Sequence, residues 1–297
     1  MTDDAPEYLT VPELAALLRV KERKVYALAS AGEIPCSRAT GKLLFPRATV
    51  EAWIARHSSG GAAAAEGAER PNVFVGSHDP LLDWALRESG SGIAAFFDGS
   101  SDGLTRLQKG EAFAGGLHLY EPERDGWNRD HVADALPGAA VVLIEWAWRE
   151  RGLIVASGNP LTLRGVSDLR ERRVVPRQKG AGSQVLFEAL CEKEGLKEKD
   201  IDGVDPPARS ESDIALAVAD GKADAGFGLG CVARQYRLGF VPLLRERFDI
   251  AVFRRGYFEA GFQTLLAFCR TDAFAAKARD LGGYDLSGFG RVHFNGP

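Results

Sequence analysis

The chain has 297 residues and a formal net charge of −4, and its 45% hydrophobic and 26% charged residues are ordinary for a globular protein with a buried core. No run of about 18 apolar residues occurs, which excludes a transmembrane helix, and the acidic start at residues 1–4 is unlike a signal peptide. Four scattered cysteines without a C-x-x-C pair indicate neither a zinc site nor a disulfide framework. We therefore expect a cytoplasmic protein without a metal or another cofactor.

Three short helices are the main elements predicted at the start of the chain. Thr10-Val11-Pro12-Glu13 matches a helix start with a capping box, and the leucines that follow have helical spacing. A second helix is predicted from about Lys21 to Ala31, with a glycine after its end, and a third at about 47–57. Between them, extended runs at 34–35 and 43–46 flank a predicted hairpin turn.

Positive charge is concentrated in this first segment. Between Arg19 and Arg47 there are seven basic and two acidic residues, although the whole chain is acidic. A second helix that follows a tight turn suits the major groove of DNA, and a basic hairpin can contact the phosphates as a wing. The side chains predicted to bind DNA are Lys21, Arg23, Lys24 and Tyr26 on the helix and Arg38, Thr40 and Lys42 on the hairpin.

Five short motifs make this segment similar to a known family. Residues 8–57 resemble the excisionase/MerR-type winged helix-turn-helix through Leu9–Ala15, Val25-Tyr26, Gly32–Pro35, Phe45-Pro46 and Ala52–Ile54. The resemblance implies binding to double-stranded DNA, and a three-helix module that binds protein is the alternative. Because small heads of this kind usually bind paired half-sites, we expect a homodimer.

The composition changes sharply at 58–68, where bulky apolar residues are missing and alanine and glycine dominate. Such a stretch predicts a linker, although an alanine-rich extension of the preceding helix is the alternative. We therefore expect three parts: a DNA-binding domain at 1–58, a linker at 59–70 and a second domain at 71–297.

Strands and helices are predicted to alternate in this second domain. Repeated alternation favours an α/β fold with mostly parallel sheets. The predicted strands are Val73–Gly76, Ile93–Phe97, Leu117–Tyr120, Ala140–Trp148, Leu153–Ser157 (after a turn at Arg151-Gly152), Val174-Val175, Ala223–Gly228 and Phe248–Phe253. Helices are predicted through Leu81–Leu86, through Leu104–Leu107, and at Ser183–Glu194, Ile214–Gly221 and Phe262–Leu281.

Three junctions between a strand and a helix carry the residue types of an anion site. Helix N-termini offer unpaired amides and partial positive charge, small hydroxyl residues add donors, and glycines allow close backbone approach. The junctions lie at 76–80, 98–103 and 176–183, and the third is the strongest because it adds two cationic side chains. The predicted ligand contacts are Ser77, His78, Ser100, Ser101, Arg177, Lys179, Gly182 and Ser183. Each serine could instead be a helix cap, and Arg177 could pair with a carboxylate.

This second domain is similar to the type 2 periplasmic-binding-protein superfamily over residues 72–295. It most resembles the cytoplasmic sensor domains of the molybdate/tungstate type, which occur behind DNA-binding heads and fused to molybdopterin-biosynthesis proteins. The motifs are Gly152–Pro160, Asp168-Leu169, Arg177–Ser183, Ala217–Gly226 and Phe248–Ile250. The resemblance implies one lobe from 71–155 with 250–297, a second from 156–249, and a ligand held between them. It also implies that Ser77 and Ser100 face a tetrahedral oxyanion, for which molybdate or tungstate is the best guess and a small organic acid the alternative.

Together these features predict a DNA-binding transcription regulator that senses a small anion. An enzyme is the second hypothesis, because His78-Asp79 near Ser100 could perform acid-base or nucleophilic chemistry. No G-x-S-x-G, H-E-x-x-H or P-loop motif supports it. A recombination or architectural DNA-binding protein is the third, although such a head needs no sensor domain.

Overall fold

The computed structural model describes residues 7–37, 41–57, 69–178 and 180–297. The chain divides into two compact units, Met1–Glu66 and Gly67–Pro297. No helix in the described part of the chain has the length and apolarity needed to span a bilayer.

The described residues of the N-terminal unit form three helices and a two-stranded sheet. Its elements are β1 (Tyr8–Leu9), α1 (Val11–Leu18), α2 (Glu22–Ser30), β2 (Phe45–Pro46) and α3 (Arg47–His57). The predicted helices are therefore present with nearly the predicted ends. At the first of them, the backbone amide and hydroxyl of Thr10 both donate to the Glu13 carboxylate at 2.7 Å. Leu14, Val25, Phe45 and Val50 form the fully buried centre of the unit.

The pairing of the extended runs differs in part from the prediction. Ser37 and Leu44 form an antiparallel bridge, which agrees with the predicted hairpin, and residues 38–40 of its turn lie outside the described residues. The run that follows pairs with Tyr8–Leu9, an unpredicted strand, and not with Ile34-Pro35. Pro35 has no amide hydrogen to contribute to a ladder, and Ile34 is buried in the core.

The C-terminal unit alternates strands and helices around one large sheet. In chain order its elements are β3 (Val73–Gly76), α4 (Pro80–Glu88), β4 (Ala94–Phe96), α5 (Ser100–Lys109), β5 (Ala114–Leu117), β6 (Tyr120–Glu121), β7 (Gly126–Trp127), α6 (Arg129–Ala135), β8 (Val141–Val155), β9 (Arg173–Val175), α7 (Gly182–Lys193), β10 (Asp202–Gly203), α8 (Glu211–Ala219), β11 (Ala225–Leu229), α9 (Gly230–Gln235), β12 (Gly239–Phe253), α10 (Arg254–Tyr257), α11 (Ala260–Phe268), α12 (Asp272–Leu281), β13 (Tyr284–Asp285) and β14 (Val292–Asn295). Two 3₁₀ helices lie at Val166–Leu169 and Glu198–Asp200.

The sheet is mixed, and the expectation of mostly parallel strands was wrong. Its order is β10-β9-β11-β8-β12-β5-β3-β4, with β13 and β14 also paired to β8. The outer strands on each side pair in parallel, whereas β8 and β12 pair antiparallel with each other and with their inner neighbours. Each parallel set, together with its helices, forms one α/β subdomain, and the two long central strands, β8 and β12, connect the subdomains.

The predicted turn at Arg151-Gly152 does not occur, because β8 continues through both residues. A β-carbon on Gly152 would lie 2.0 Å from the carbonyl oxygen of Val241. This glycine therefore allows β12 to approach closely where its register shifts, between Pro242 and Leu244. The predicted helix at 262–281 is likewise two helices, α11 and α12, and Thr271 caps the second by accepting a bond from the Phe274 amide.

Two lobes follow from this topology. Lobe one is the part built on β3, β4 and β5, and lobe two is the part built on β9, β10 and β11. β12 pairs with β5 through residues 249–252, and β8 pairs with β11 through residues 151–155. The middle of each long strand therefore passes from one lobe to the other. Separate apolar cores lie in the lobes, one around Phe74 and Trp146 and one around Leu153 and Phe227.

Candidate functional site

Three of the predicted ligand residues meet where the lobes touch. Ser77 follows β3 and Ser100 begins α5, both in lobe one, while Gly182 begins α7 in lobe two. Between them lies His118, just after β5. Its Nε2 is 2.8 Å from Ser77 Oγ, and its backbone amide donates to Ser100 Oγ at 3.2 Å. A β-carbon on Gly182 would lie 3.3 Å from His118 Cε1 and 3.4 Å from Ser100 Oγ, so a side chain at this position would push these neighbours by a few tenths of an ångström.

Two helix N-termini face each other at this point. The residues before α5 and α7 are Gly99 and Ala181, and neither has a polar side chain with which to cap the helix. The first amides of both helices therefore direct their partial positive charge toward the lobe boundary. Ser183 is 2% exposed in the first turn of α7. Ser101, in the first turn of α5, donates to the Gly180 carbonyl oxygen at 3.2 Å and so links the lobes. Two such helix ends can hold an anion between them.

Arg177 lies in lobe two with its guanidinium already engaged. Nη1 is 3.4 Å from Glu211 Oε1, and the other nitrogens donate to the carbonyl oxygens of Ala208 and Arg209 at 3.1 Å. Its side chain is 11% exposed, and burial lowers its pKa. The Glu211 carboxylate therefore already pairs with the positive charge of Arg177, the residue that the sequence pattern predicts to contact the ligand.

His78 points away from Ser77 and contacts a different surface. Its ring packs edge-on against Phe97, and its Nε2 is 3.9 Å from Asp83 Oδ2. It lines a pocket of about 500 Å³ between α4, α9 and α12, together with Trp84 and Cys231. Lys179 lies outside the described residues.

A chain of buried charges runs beneath these groups from lobe one to lobe two. Arg149 Nη1 lies 3.0 Å from Asp79, and Arg149 Nη2 donates to Glu246. The other oxygen of Glu246 is 2.7 Å from Arg151 Nε. Arg151 then contacts Glu211 at 3.0 Å. Carboxylates and guanidinium groups therefore alternate in the order Asp79, Arg149, Glu246, Arg151, Glu211, Arg177.

The alternation favours the charged forms of the four inner groups, Arg149, Glu246, Arg151 and Glu211, despite their burial. Burial opposes the charge of Arg149, but the facing carboxylates of Glu246 and Asp79 outweigh it and raise its pKa. Burial likewise opposes the charge of Glu246, yet Arg149 and Arg151 hold its pKa well below the usual range. Three positive and three negative charges leave the chain neutral as a whole. Arg149 Nε and Arg151 Nη1 are buried donors without a hydrogen-bond acceptor among the described residues.

The first carboxylate of the chain has a structural environment. Asp79 Oδ1 accepts from the Leu82 amide at 2.8 Å and from Trp146 Nε1 at 3.1 Å, while its Oδ2 accepts from Arg149 and from the Tyr284 hydroxyl. Four donors occupy the two oxygens of this carboxylate, an arrangement that fits a structural role and not the acid-base role considered from the sequence.

Sequence reasoning missed His118 and the four inner charges of the chain. A signal for two of them was available, since Arg149 and Arg151 are two apart in a strand that is otherwise rich in apolar residues. Side chains with this spacing share one face of a strand, and buried arginines are rare unless they are paired. Their partners Glu246 and Glu211 lie about 60 to 100 residues away in sequence, so no local pattern connects them.

The predicted DNA-binding side chains lie on an exposed face of the N-terminal unit. Lys21, Arg23, Lys24 and Tyr26 are exposed along the start of α2, while Val25 and Leu28 on its other face are buried. Lys42 is also exposed. Arg38 and Thr40 lie outside the described residues.

Comparisons with known proteins agree with this division. The family model of a helix-turn-helix domain matches residues 8–58, and that of a PBP superfamily domain matches residues 83–270. The predicted fold class, a helix-turn-helix followed by a two-lobed domain of the periplasmic-binding-protein type, is therefore confirmed.

Three individual proteins illustrate the likeness. The uncharacterized protein YvgK of Bacillus subtilis (strain 168) is 27% identical over 299 residues, which cover 95% of this chain and 96% of YvgK. An uncharacterized protein of Clostridium pasteurianum, from the 5′ region of a 2Fe-2S ferredoxin gene, is 29% identical over 99 residues, or 33% of this chain and 88% of that protein. The crystal structure of a phosphate ABC transporter substrate-binding protein from Clostridium perfringens, with bound phosphate, has 14% identity and a TM-score of 0.53. The matched region covers 69% of this chain and 96% of the substrate-binding protein. At this identity the likeness shows the fold alone.

Proposed function

We propose that this chain, which belongs to the PBP superfamily and carries a helix-turn-helix domain, is a DNA-binding transcription regulator that senses a small anion between its lobes. The helix-turn-helix implies DNA binding, and the PBP-like domain implies a small ligand. The observation that carries the anion is the meeting of the α5 and α7 N-termini, one from each lobe and neither capped by a side chain.

The ligand that we propose is a tetrahedral oxyanion, with molybdate or tungstate as the first candidates. Amides and hydroxyls from Ser77, Ser100 and Ser183 would surround such an anion with donors, and the two helix ends would supply about one positive charge together. The substrate-binding protein from Clostridium perfringens, which has this fold, holds phosphate, which is also a tetrahedral oxyanion. A small organic acid would use the same donors and is the alternative.

Binding would act on the arrangement of the lobes. An anion between α5 and α7 contacts both lobes only when they are close, and it therefore stabilises the closed state relative to an open one. Arg177 remains a predicted contact at the lobe-two end of the charged chain. It would have to share its guanidinium between Glu211 and the anion.

Calorimetric titration of the full chain with molybdate, tungstate, sulfate, phosphate and several carboxylates tests the ligand. S100A should weaken binding of the preferred anion about 10- to 100-fold, because a hydrogen bond to a charged group contributes about 1.5–3 kcal/mol. S167A changes an exposed serine in lobe two and is the matched control. Equal affinities for S100A and S167A would place the anion elsewhere.

Binding of operator DNA at several salt concentrations tests the N-terminal unit. R23A and K24A should each weaken DNA binding and lower the salt slope by about 0.9 for each phosphate that the variant no longer neutralises. K193A removes an exposed lysine from lobe two and should leave the slope unchanged. If all three variants behave alike, the DNA surface lies elsewhere on the chain.

A further inference from the structure

His118 is the one titratable side chain that touches the serines of the candidate site among the described residues. It is 2% exposed, and its ring stacks on Phe248 with 6.0 Å between ring centroids. The charged groups that face it are Glu246 on β12 and Arg149 and Arg151 on β8. The ring is therefore held between the charged chain on one side and Ser77 on the other.

The surroundings determine which ring nitrogen carries the hydrogen. Nδ1 lies 3.2 Å from Glu246 Oε2, off the line of an ideal hydrogen bond. A lone pair on Nδ1 would face this carboxylate and be repelled, so the single hydrogen of the neutral ring belongs on Nδ1. Burial lowers the pKa of His118 and outweighs the opposing effect of Glu246, which keeps the ring neutral near pH 7 before a ligand binds.

This tautomer uses up the only hydrogen of the Ser77 hydroxyl. Nε2 then carries a lone pair, and Ser77 Oγ, 2.8 Å away, must donate to it. What Ser77 presents to the lobe boundary is its own lone pairs, and these repel an anion. Before a ligand binds, the site therefore disfavours binding of an oxyanion that has no hydrogen of its own.

We propose that binding of a fully deprotonated oxyanion is coupled to the uptake of one proton by His118, an inference that rests on the anion site proposed above. A proton from solvent adds to Nε2, which then donates to Ser77 Oγ, and the freed hydroxyl hydrogen turns toward the anion. The resulting imidazolium lies between two negative groups, Glu246 and the ligand, and the arginines beyond Glu246 oppose it. No covalent bond to the ligand is made or broken.

The coupling predicts both a pH dependence and a preference among ligands. A negative charge within about 4–6 Å raises the pKa of a histidine by about 1–3 units. As the pH rises from the free pKa of His118 to its pKa in the complex, the affinity for the anion should therefore fall by up to about tenfold per pH unit. Below the free pKa the affinity should level off. Hydrogen phosphate can donate its own hydrogen to Ser77 and needs no proton from solvent, whereas molybdate, tungstate and sulfate need one.

Calorimetry of the full chain with molybdate, tungstate and sulfate, in triethanolamine and in Tris at pH 7.5, measures the protons taken up. Wild type should take up a measurable fraction of a proton per bound anion at pH 7.5, approaching one where the pH lies between the free and bound pKa values of His118, and H118Q should take up none. H131Q changes an exposed histidine and should match wild type. Binding without uptake, or uptake that persists in H118Q, overturns the proton coupling and leaves the anion site intact. Absence of binding by all three anions overturns the tetrahedral-oxyanion site and the proton coupling that rests on it.

A second measurement does not depend on the variant folding. Nitrogen-15 NMR of the imidazoles in wild type should show one buried ring as the neutral Nδ1–H tautomer, which becomes an imidazolium when molybdate is added. A buried ring with its hydrogen on Nε2 before the addition, or a ring that stays neutral in the complex, contradicts the proposal.

Discussion

Glu246 lies at the centre of the buried charged chain, and removing its charge should be among the most damaging single changes in the C-terminal unit. E246Q keeps the shape of the side chain but leaves Arg149 and Arg151 facing each other without the carboxylate between them. Neither guanidinium can reach water, because both are at most 1% exposed. Asp79 remains beside Arg149 and Glu211 beside Arg151, and these carboxylates compensate only in part.

The expected loss follows from the burial of these groups. Removing one partner of a buried ion pair costs about 3–5 kcal/mol, since the other partner is left as an uncompensated charge. In a unit of roughly 230 residues each kcal/mol corresponds to about 2–4 °C, so the melting temperature should fall by about 6–20 °C.

Urea unfolding of the full chain, followed by tryptophan fluorescence, measures the loss. E150Q is the matched control, because Glu150 contacts Arg234 at 3.6 Å on the surface and an exposed pair contributes at most about 1 kcal/mol. If E246Q unfolds at the same urea concentration as E150Q, the chain is not a unit of mutually dependent charges and the reasoning about its burial is wrong.

Two further predictions concern pH and lobe closure. Burial raises the pKa of Asp249 to about 6 against the opposing effect of Arg247, so the unfolded chain loses this proton at lower pH than the folded one. The contribution of Asp249 to the free energy of unfolding should therefore fall by about 3 kcal/mol as the pH rises from about 4 to 6.5. The urea midpoint of D249N should lack this decline. Parallel plots of urea midpoint against pH for wild type and D249N would contradict the raised pKa of Asp249. G182V should crowd His118 and Ser100 and weaken molybdate binding at least tenfold in calorimetry, whereas G203V, which meets no atom within 4 Å, should not; equal affinities would show that the lobes need not approach at this point.

Local signals in the sequence were sufficient for much of the fold. The capping residues around Thr10 and Glu13 predicted the start of the first helix, and the apolar run at Val73–Gly76 predicted β3 with the correct ends. Both patterns act through neighbouring residues, and tertiary contacts did not override them. Ser77, Ser100 and Gly182 could be grouped because strand ends and helix starts meet at the same edge of a sheet.

What the sequence could not show depends on contacts between distant segments. Gly152 was interpreted as a turn residue because a glycine inside a strand has meaning only once the strand beside it is known. Arg177 was assigned to the ligand because it adds positive charge beside glycines at a helix start. Pairing with a carboxylate was the alternative, but the partner could not be named, because Glu211 is 34 residues away and begins a different helix. His118 follows a short strand with no motif around it, and its role becomes visible only through Ser77 and Glu246.

The shared strands β8 and β12 constrain how this domain can be divided or recombined. One end of each long strand lies in lobe one and the other end lies in lobe two. A fragment that ends between the lobes would therefore leave unpaired strand edges and an incomplete apolar core in each lobe. To graft lobe two of a relative onto lobe one, the lobe-two halves of β8 and β12 would have to be exchanged. The new halves would have to continue the register of the lobe-one halves that remain. Changes in ligand preference are therefore easier to obtain at the loops around the helix starts than by exchanging lobes.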